Sequence, residues 1–207
     1  MTCFINFSNT KPKPKPKPKS KFNANHGFSL IELTIALSVT AILTSIGLPS
    51  YDHLMQKQQM SADINRWYRV FNMARHTAII NAKIVTICPS SDALQCSSRW
   101  DDGALIFVDD NKNHKFDNAE QLIQVIDKSP NDHKVTWRAF QNRNYLQFQA
   151  NGFTWAQNGT LRLCNKDPSL KYNRAIIVTR SGRLRLSEDS DGDGIEDDAS
   201  GNSITCG

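Results

Sequence analysis

Two arginines one residue apart, Arg183 and Arg185, begin the stretch of this chain with the greatest chemical content. In extended backbone they project to the same side roughly 6 to 7 Å apart, about the spacing of neighbouring phosphates along one nucleic-acid strand. Two planar guanidinium forks set that way grip one backbone. Arg180, Arg174, Lys171 and Lys166 widen the basic patch, and Gly182 lets the chain approach closely. No helix in this region is placed to read a major groove, so the expected DNA binding is weak and indifferent to base sequence. The competing reading pairs these cations with the acids that follow, or has them keep a strand edge soluble.

Those acids form a second candidate. Asp189, Asp191, Asp193, Gly194 and Asp197 lie in DSDGDGIED, alternating carboxylates around a turn glycine, a pattern that wraps oxygens about one calcium ion. Position twelve of such a loop is Ser200, where a bidentate glutamate is usual, so calcium and plain solvated acidity both stand as readings. A bound ion would also cancel charge beside the arginine pair and favour DNA there. Asp109, Asn111, Asn113, Asp117 and Glu120 repeat the acid spacing, but His114 occupies the place of the turn glycine.

Catalysis finds no support. His26, His53, His76, His114 and His133 show no metal-ligand spacing, no glycine-rich phosphate loop occurs, and no serine sits in a nucleophile elbow. The residues therefore argue for a binding or structural protein that requires no cofactor, with calcium as the one possible ion.

The elements that must position these residues follow from hydrophobic period. Leu54, Ile64, Trp67, Val70, Phe71, Ala74, Ala78 and Ile79 recur at helical steps, predicting an amphipathic helix over 52–81. Short β-branched and aromatic runs predict strands at 83–88, 104–109, 121–126, 134–140, 145–149, 159–164, 174–179 and 183–186. Helix first and strands after, without alternation, means an α+β fold with antiparallel sheet packed on a long N-terminal helix. Cys88, Cys96, Cys164 and Cys206 allow three pairings; proximity favours Cys88 with Cys96 and Cys164 with Cys206, the second tethering the C-terminal tail.

Upstream of these, residues 28–51 are apolar or small at nearly every position to Leu48, enough helix to span roughly 31 Å, and Pro49 predicts a kink or melted turn. Glu32 lies within it, a carboxylate that costs about 2.5 to 3.5 kcal/mol if left ionised and unpaired in lipid. Residues 1–27 are a low-complexity basic leader with six lysines and no acid. Without those six, the chain's 25 basic residues fall to 19 against 20 acids, so the +5 net charge belongs to the leader and marks its cytoplasmic side. The remainder is charged unevenly. Ten Lys and Arg stand between Lys134 and Arg185 with Asp167 as the sole acid, and seven acids follow between Glu188 and Asp198.

GFSLIEL at the boundary of leader and apolar run, with Gly47 and Pro49 closing that run, resembles the N-terminal signature of type IV pilins and type II secretion pseudopilins. That resemblance implies cleavage after Gly27 by a prepilin peptidase, methylation of the new N-terminal Phe28, and a filament-recruiting role for Glu32. Glu32 of one copy meeting the freed amino group of Phe28 on another would make a buried ion pair that fixes register. It implies single-pass insertion in the inner membrane with a periplasmic domain over 82–207, then assembly with other pilins into a surface filament.

Beyond the helix, Cys88-Pro89, Trp100 and Gly103 before IFVDDNKN, Glu120, Asn151-Gly152 before Phe153, Leu163-Cys164 and Ser181-Gly182-Arg183-Leu184-Arg185 resemble the GspH/FimT group of minor pseudopilins. The Gly-Arg-x-Arg element is similar to one through which FimT-type proteins of naturally transformable bacteria bind incoming DNA. The resemblance also implies that the 109–120 segment is an ordinary strand-to-strand turn. Its alternative outcome is a type II secretion pseudopilin or pilus-priming subunit acting through protein contacts only.

Overall fold

The computed structural model describes residues 27–117, 119–155, 157–166 and 172–206, without the side chains of residues 46, 47, 49 and 50. The leader before Gly27 and the candidate Lys171 lie outside the described residues. Helix α1 runs from Leu30 to Ile80, and the chain divides into two compact units, Met1–Ile46 and Gly47–Gly207. The helix continues through Pro49, so the melted turn expected there is not seen.

In the first unit the described apolar side chains of α1, among them Leu30, Ile31, Leu33, Ile35, Leu37, Ile42 and Leu43, are exposed. The hydroxyls among them are satisfied within the helix: Ser38 Oγ donates to the Thr34 carbonyl at 2.8 Å, and Thr44 Oγ1 to the Thr40 carbonyl at 2.9 Å. Those hydroxyls need no water, which leaves Glu32 as the one charged group on this surface among the described residues. Among the described residues no helix is long and apolar enough to cross a membrane; side chains of the apolar run are described continuously only to Ser45.

In the second unit α1 turns Met60, Ile64, Trp67, Val70, Phe71, Ala74 and Ala78 inward at steps of mostly three and four. Leu54 and Ile79, expected on that stripe, are exposed. The buried stripe begins only at Met60, and Ile79 instead lies over the backbone of Gly152. Trp67 meets Trp100 at 5.8 Å between ring centroids and Phe71 meets Trp137 edge-on at 6.2 Å, so aromatic contacts tie the helix to the strands.

Among the described residues eight antiparallel strands follow: β1 (Val85–Pro89), β2 (Gly103–Val108), β3 (Leu122–Asp127), β4 (Lys134–Ala139), β5 (Leu146–Phe148), β6 (Gly159–Cys164), β7 (Arg174–Val178) and β8 (Leu184–Leu186). They form two four-stranded sheets, β3-β2-β1-β5 and β4-β6-β7-β8. One core joins them to the helix, with Ile87, Ile106 and Phe148 from the first sheet and Leu161, Leu163 and Ile176 from the second. All eight expected strands are present. The largest shift is at β1, because Lys83 still belongs to the helix end, its N–H donating to the Ala78 carbonyl at 3.1 Å.

Both disulfides form as proximity suggested, Cys88–Cys96 with Cα atoms 5.5 Å apart and Cys164–Cys206 at 6.0 Å. The second closes a loop 42 residues long and on loop entropy alone stabilises by roughly 4 kcal/mol. A polar tie not foreseen from the sequence links α1 to the β3–β4 loop. Asp63, buried on the helix, accepts from Ser129 Oγ and sits 2.6 Å from His133 Nδ1.

Candidate nucleic-acid interface

The turn between β7 and β8 carries the arginine pair. β8 is the edge strand of its sheet, with Val178 opposite Leu184 and Ile177 opposite Arg185. Thr179 N–H donates to the Arg183 carbonyl at 3.0 Å and Gly182 N–H to the Thr179 carbonyl at 2.9 Å, closing the turn with Gly182 at φ +73°. Leu184 is buried while Arg183 and Arg185 are exposed on either side of it, as alternation along a strand requires. Among the described residues nothing pairs with the guanidinium of Arg180, Arg183 or Arg185.

The wider patch is smaller than the sequence suggested. Arg174 lies 3.0 Å from Glu196 and Arg162 3.6 Å from Asp198, so these two bases neutralise the acidic tail. Lys166 pairs with Asp132. Pairing with the acids that follow therefore holds for Arg174, while Lys166 is taken by an earlier acid and Arg183 and Arg185 stand exposed on an edge strand with no ion-pair partner among the described residues. Gly182 also differs in role. It is buried, and a Cβ there would meet the Gly152 carbonyl and the Arg75 guanidinium, so its smallness serves packing on the protein side.

That packing brings an aromatic loop beside the arginines. Thr154, fully buried, donates from its N–H to the Arg180 carbonyl at 3.0 Å and from Oγ1 to the Thr179 carbonyl at 3.1 Å. Phe153 and Trp155 flank it and are 48% and 66% exposed, repeating with aromatic rings the arrangement of Arg183 and Arg185 around Leu184. Trp155 also holds φ at +53°, a left-handed conformation that costs a bulky residue on the order of 1–2 kcal/mol. Folding does not call for an exposed, strained tryptophan. Sequence reasoning gave neither ring a role in binding; the signal was a Phe-Thr-Trp alternation just after Asn151-Gly152.

The acidic loop following β8 gathers three of its four candidates. One carboxylate oxygen each from Asp189, Asp191 and Asp197 lies within 4.8 Å of the others. Asp193 is outside that group, its Oδ1 accepting the Ile195 N–H at 2.7 Å. Ser190 donates to Asp197 Oδ2 from its hydroxyl and from its N–H at 3.0 Å, which holds the Asp197 carboxyl below the usual aspartate range.

The 109–120 segment behaves as a structural turn. Asp109 is fully buried and its Oδ2 accepts from Thr86 Oγ1 at 2.8 Å and Gln147 Nε2 at 2.9 Å, while Asn111 Nδ2 donates to Asp117 Oδ2 at 2.8 Å. Glu120 is pushed above the usual glutamate range, chiefly by burial, with Asp109 and Asp117 adding repulsion.

The family described as type II transport protein GspH matches residues 63–182, and the prokaryotic N-terminal methylation motif matches residues 22–48, which include Gly27, Phe28 and Glu32. Arg183, Arg185 and the acidic loop lie just beyond the first of these. No curated protein matches the chain. Among solved structures the fold is similar to the Pseudomonas aeruginosa (strain PAO1) type IV minor pilin FimU, with a TM-score of 0.50 and 15% identity over 64% of this chain and 91% of that one. A second crystal form of FimU gives a TM-score of 0.46 and 17% identity over 63% and 92% of the two chains. With the GspH match spanning more than half of its length and the methylation motif at its start, the chain belongs to the GspH family of minor pilins and pseudopilins within the type IV pilin superfamily.

Proposed function

We propose that this chain is a minor pilin that enters a filament through α1 and binds DNA backbone through Arg183 and Arg185 for uptake. Family membership and the methylation motif imply contacts with other pilin subunits, processing by a prepilin peptidase, and a membrane-anchored stage before assembly. The uncovered apolar surface of residues 30–45 supports that stage, since lipid or neighbouring helices are what cover such a rod. The observation that carries the DNA part is the unequal use of arginines. Arg162 and Arg174 are committed to the tail's acids, while Arg183 and Arg185 face outward with no acid engaged among the described residues.

Phe153 and Trp155 add stacking faces beside those cations, an arrangement that suits unpaired bases. Contacts of this kind read no sequence. A mobility shift of the full chain in detergent at low salt tests the reading. Arg183→Ala/Arg185→Ala is expected to lose most of the shift on any duplex, and Phe153→Ala/Trp155→Ala to weaken single-strand binding roughly tenfold while duplex binding persists. Absence of any shift, or a double arginine variant that binds unchanged, rejects DNA as the partner.

A second reading is favoured by the description of the matching family as a transport protein. In it the exposed Phe153, Trp155 and Phe140 meet other subunits of a type II secretion or pilus-priming complex, and the arginines contribute solubility. The same shift experiment separates the two.

A further inference from the structure

We infer that the loop after β8 is a calcium site that fastens the C-terminal tail. Asp189, Asp191 and Asp197 bring three carboxylate oxygens within 4.8 Å of one another. Calcium holds oxygens at about 2.3–2.6 Å, so ligands on opposite sides of one ion stand up to about 5 Å apart, whereas magnesium at about 2.0–2.1 Å demands a tighter set. The observed group fits within a calcium sphere.

A surface cluster of acids has no such need of an ion, and Asp197 is what separates this loop from one. Its side chain belongs to a residue only 4% exposed. Ser190 occupies Oδ2, but Oδ1 is buried and has no hydrogen-bond donor. Among the described residues no cation pairs with it either. The two arginines that reach this tail are taken by the residues on each side, Arg174 by Glu196 and Arg162 by Asp198. The buried Oδ1 has no partner, and a divalent ion between the three carboxylates would supply that contact together with a counter-charge for all three. Water would fill the remaining positions of the coordination sphere.

The site has a mechanical consequence. Asp197 bridges to Glu188 at the end of β8 and to Ser203 near the terminus, so an ion held at Asp197 joins the strand, the loop and the tail that ends in the Cys164–Cys206 disulfide. These residues lie beyond the 63–182 region that matches the GspH family. The inference is independent of DNA binding.

The test is calorimetric titration of the full chain in detergent, stripped with chelator, using calcium chloride. One saturable event is expected, with a dissociation constant of about 10⁻⁵–10⁻³ M, and no comparable event with magnesium chloride. Asp191 is exposed, so Asp191→Asn leaves the fold intact and is expected to weaken binding at least tenfold. Calcium is also expected to protect the tail from proteolysis in the wild type and not in Asp191→Asn. Absence of saturable binding, equal affinity for magnesium, or unchanged affinity in Asp191→Asn overturns the site.

Discussion

A Cβ placed on Gly182 would fall 1.9 Å from the carbonyl oxygen of Gly152, so the arginine turn and the aromatic loop meet backbone to backbone at two glycines. Arg183 and Phe153 each follow one of these glycines in the chain. The meeting of the two loops is thus fixed by backbone packing and by the bonds of Thr154 to the arginine turn.

Gly182→Ala is accordingly expected to destabilise by about 2–4 kcal/mol. The estimate combines a left-handed backbone with a clash against main chain that cannot rotate away. Denaturant unfolding measures it. A loss below about 0.5 kcal/mol would show that the two loops are not locked together.

Glu32 is exposed on the first turn of α1 and has no hydrogen-bond or ion-pair partner among the described residues. If its partner is the amino group of Phe28 in another copy, Glu32→Ala is expected to remove the chain from sheared filaments while leaving its membrane level unchanged. Quantitative immunoblotting of the two fractions decides this. Normal incorporation would sever the helix from the assembly role.

Glu120 offers a pH test of the 109–120 turn. Its folded pKa is raised, mainly by burial, so its contribution to stability is full below the ordinary glutamate range and is lost as pH rises through the folded value. Glu120→Gln, neutral at every pH, should therefore exceed the wild type in stability at neutral pH and lose that advantage in acid. Thermal melts at pH 7 and at about pH 4 show the sign. A variant less stable at pH 7 would mean that the charge is satisfied in the fold.

Much of this architecture was legible because it rests on local patterns. Strand alternation placed all eight strands, and cysteine proximity gave both disulfides. What escaped depends on contacts between segments distant in sequence. Arg174 resembles Arg183 in sequence, and only the fold of the tail reveals that Glu196 engages the first and no acid the second. Gly182 was read as an approach for a ligand, but Gly152, thirty positions earlier, fills the space beside it. Leu54 and Ile79 fit the helical period, yet periodicity does not tell where the covering sheets begin and end. Phe153 and Trp155 lacked a role until Thr154 was seen bonded to the arginine turn.

The account turns on two guanidinium groups gripping phosphate, and the salt dependence of binding measures that directly. Each phosphate contact on duplex DNA adds about 0.9 to the slope of log affinity against log salt concentration. The full chain in detergent, titrated with a duplex across a range of salt, should give a slope steeper by about 1.8 than Arg183→Ala/Arg185→Ala. Equal slopes for the two proteins would place the phosphate contacts elsewhere and contradict the account.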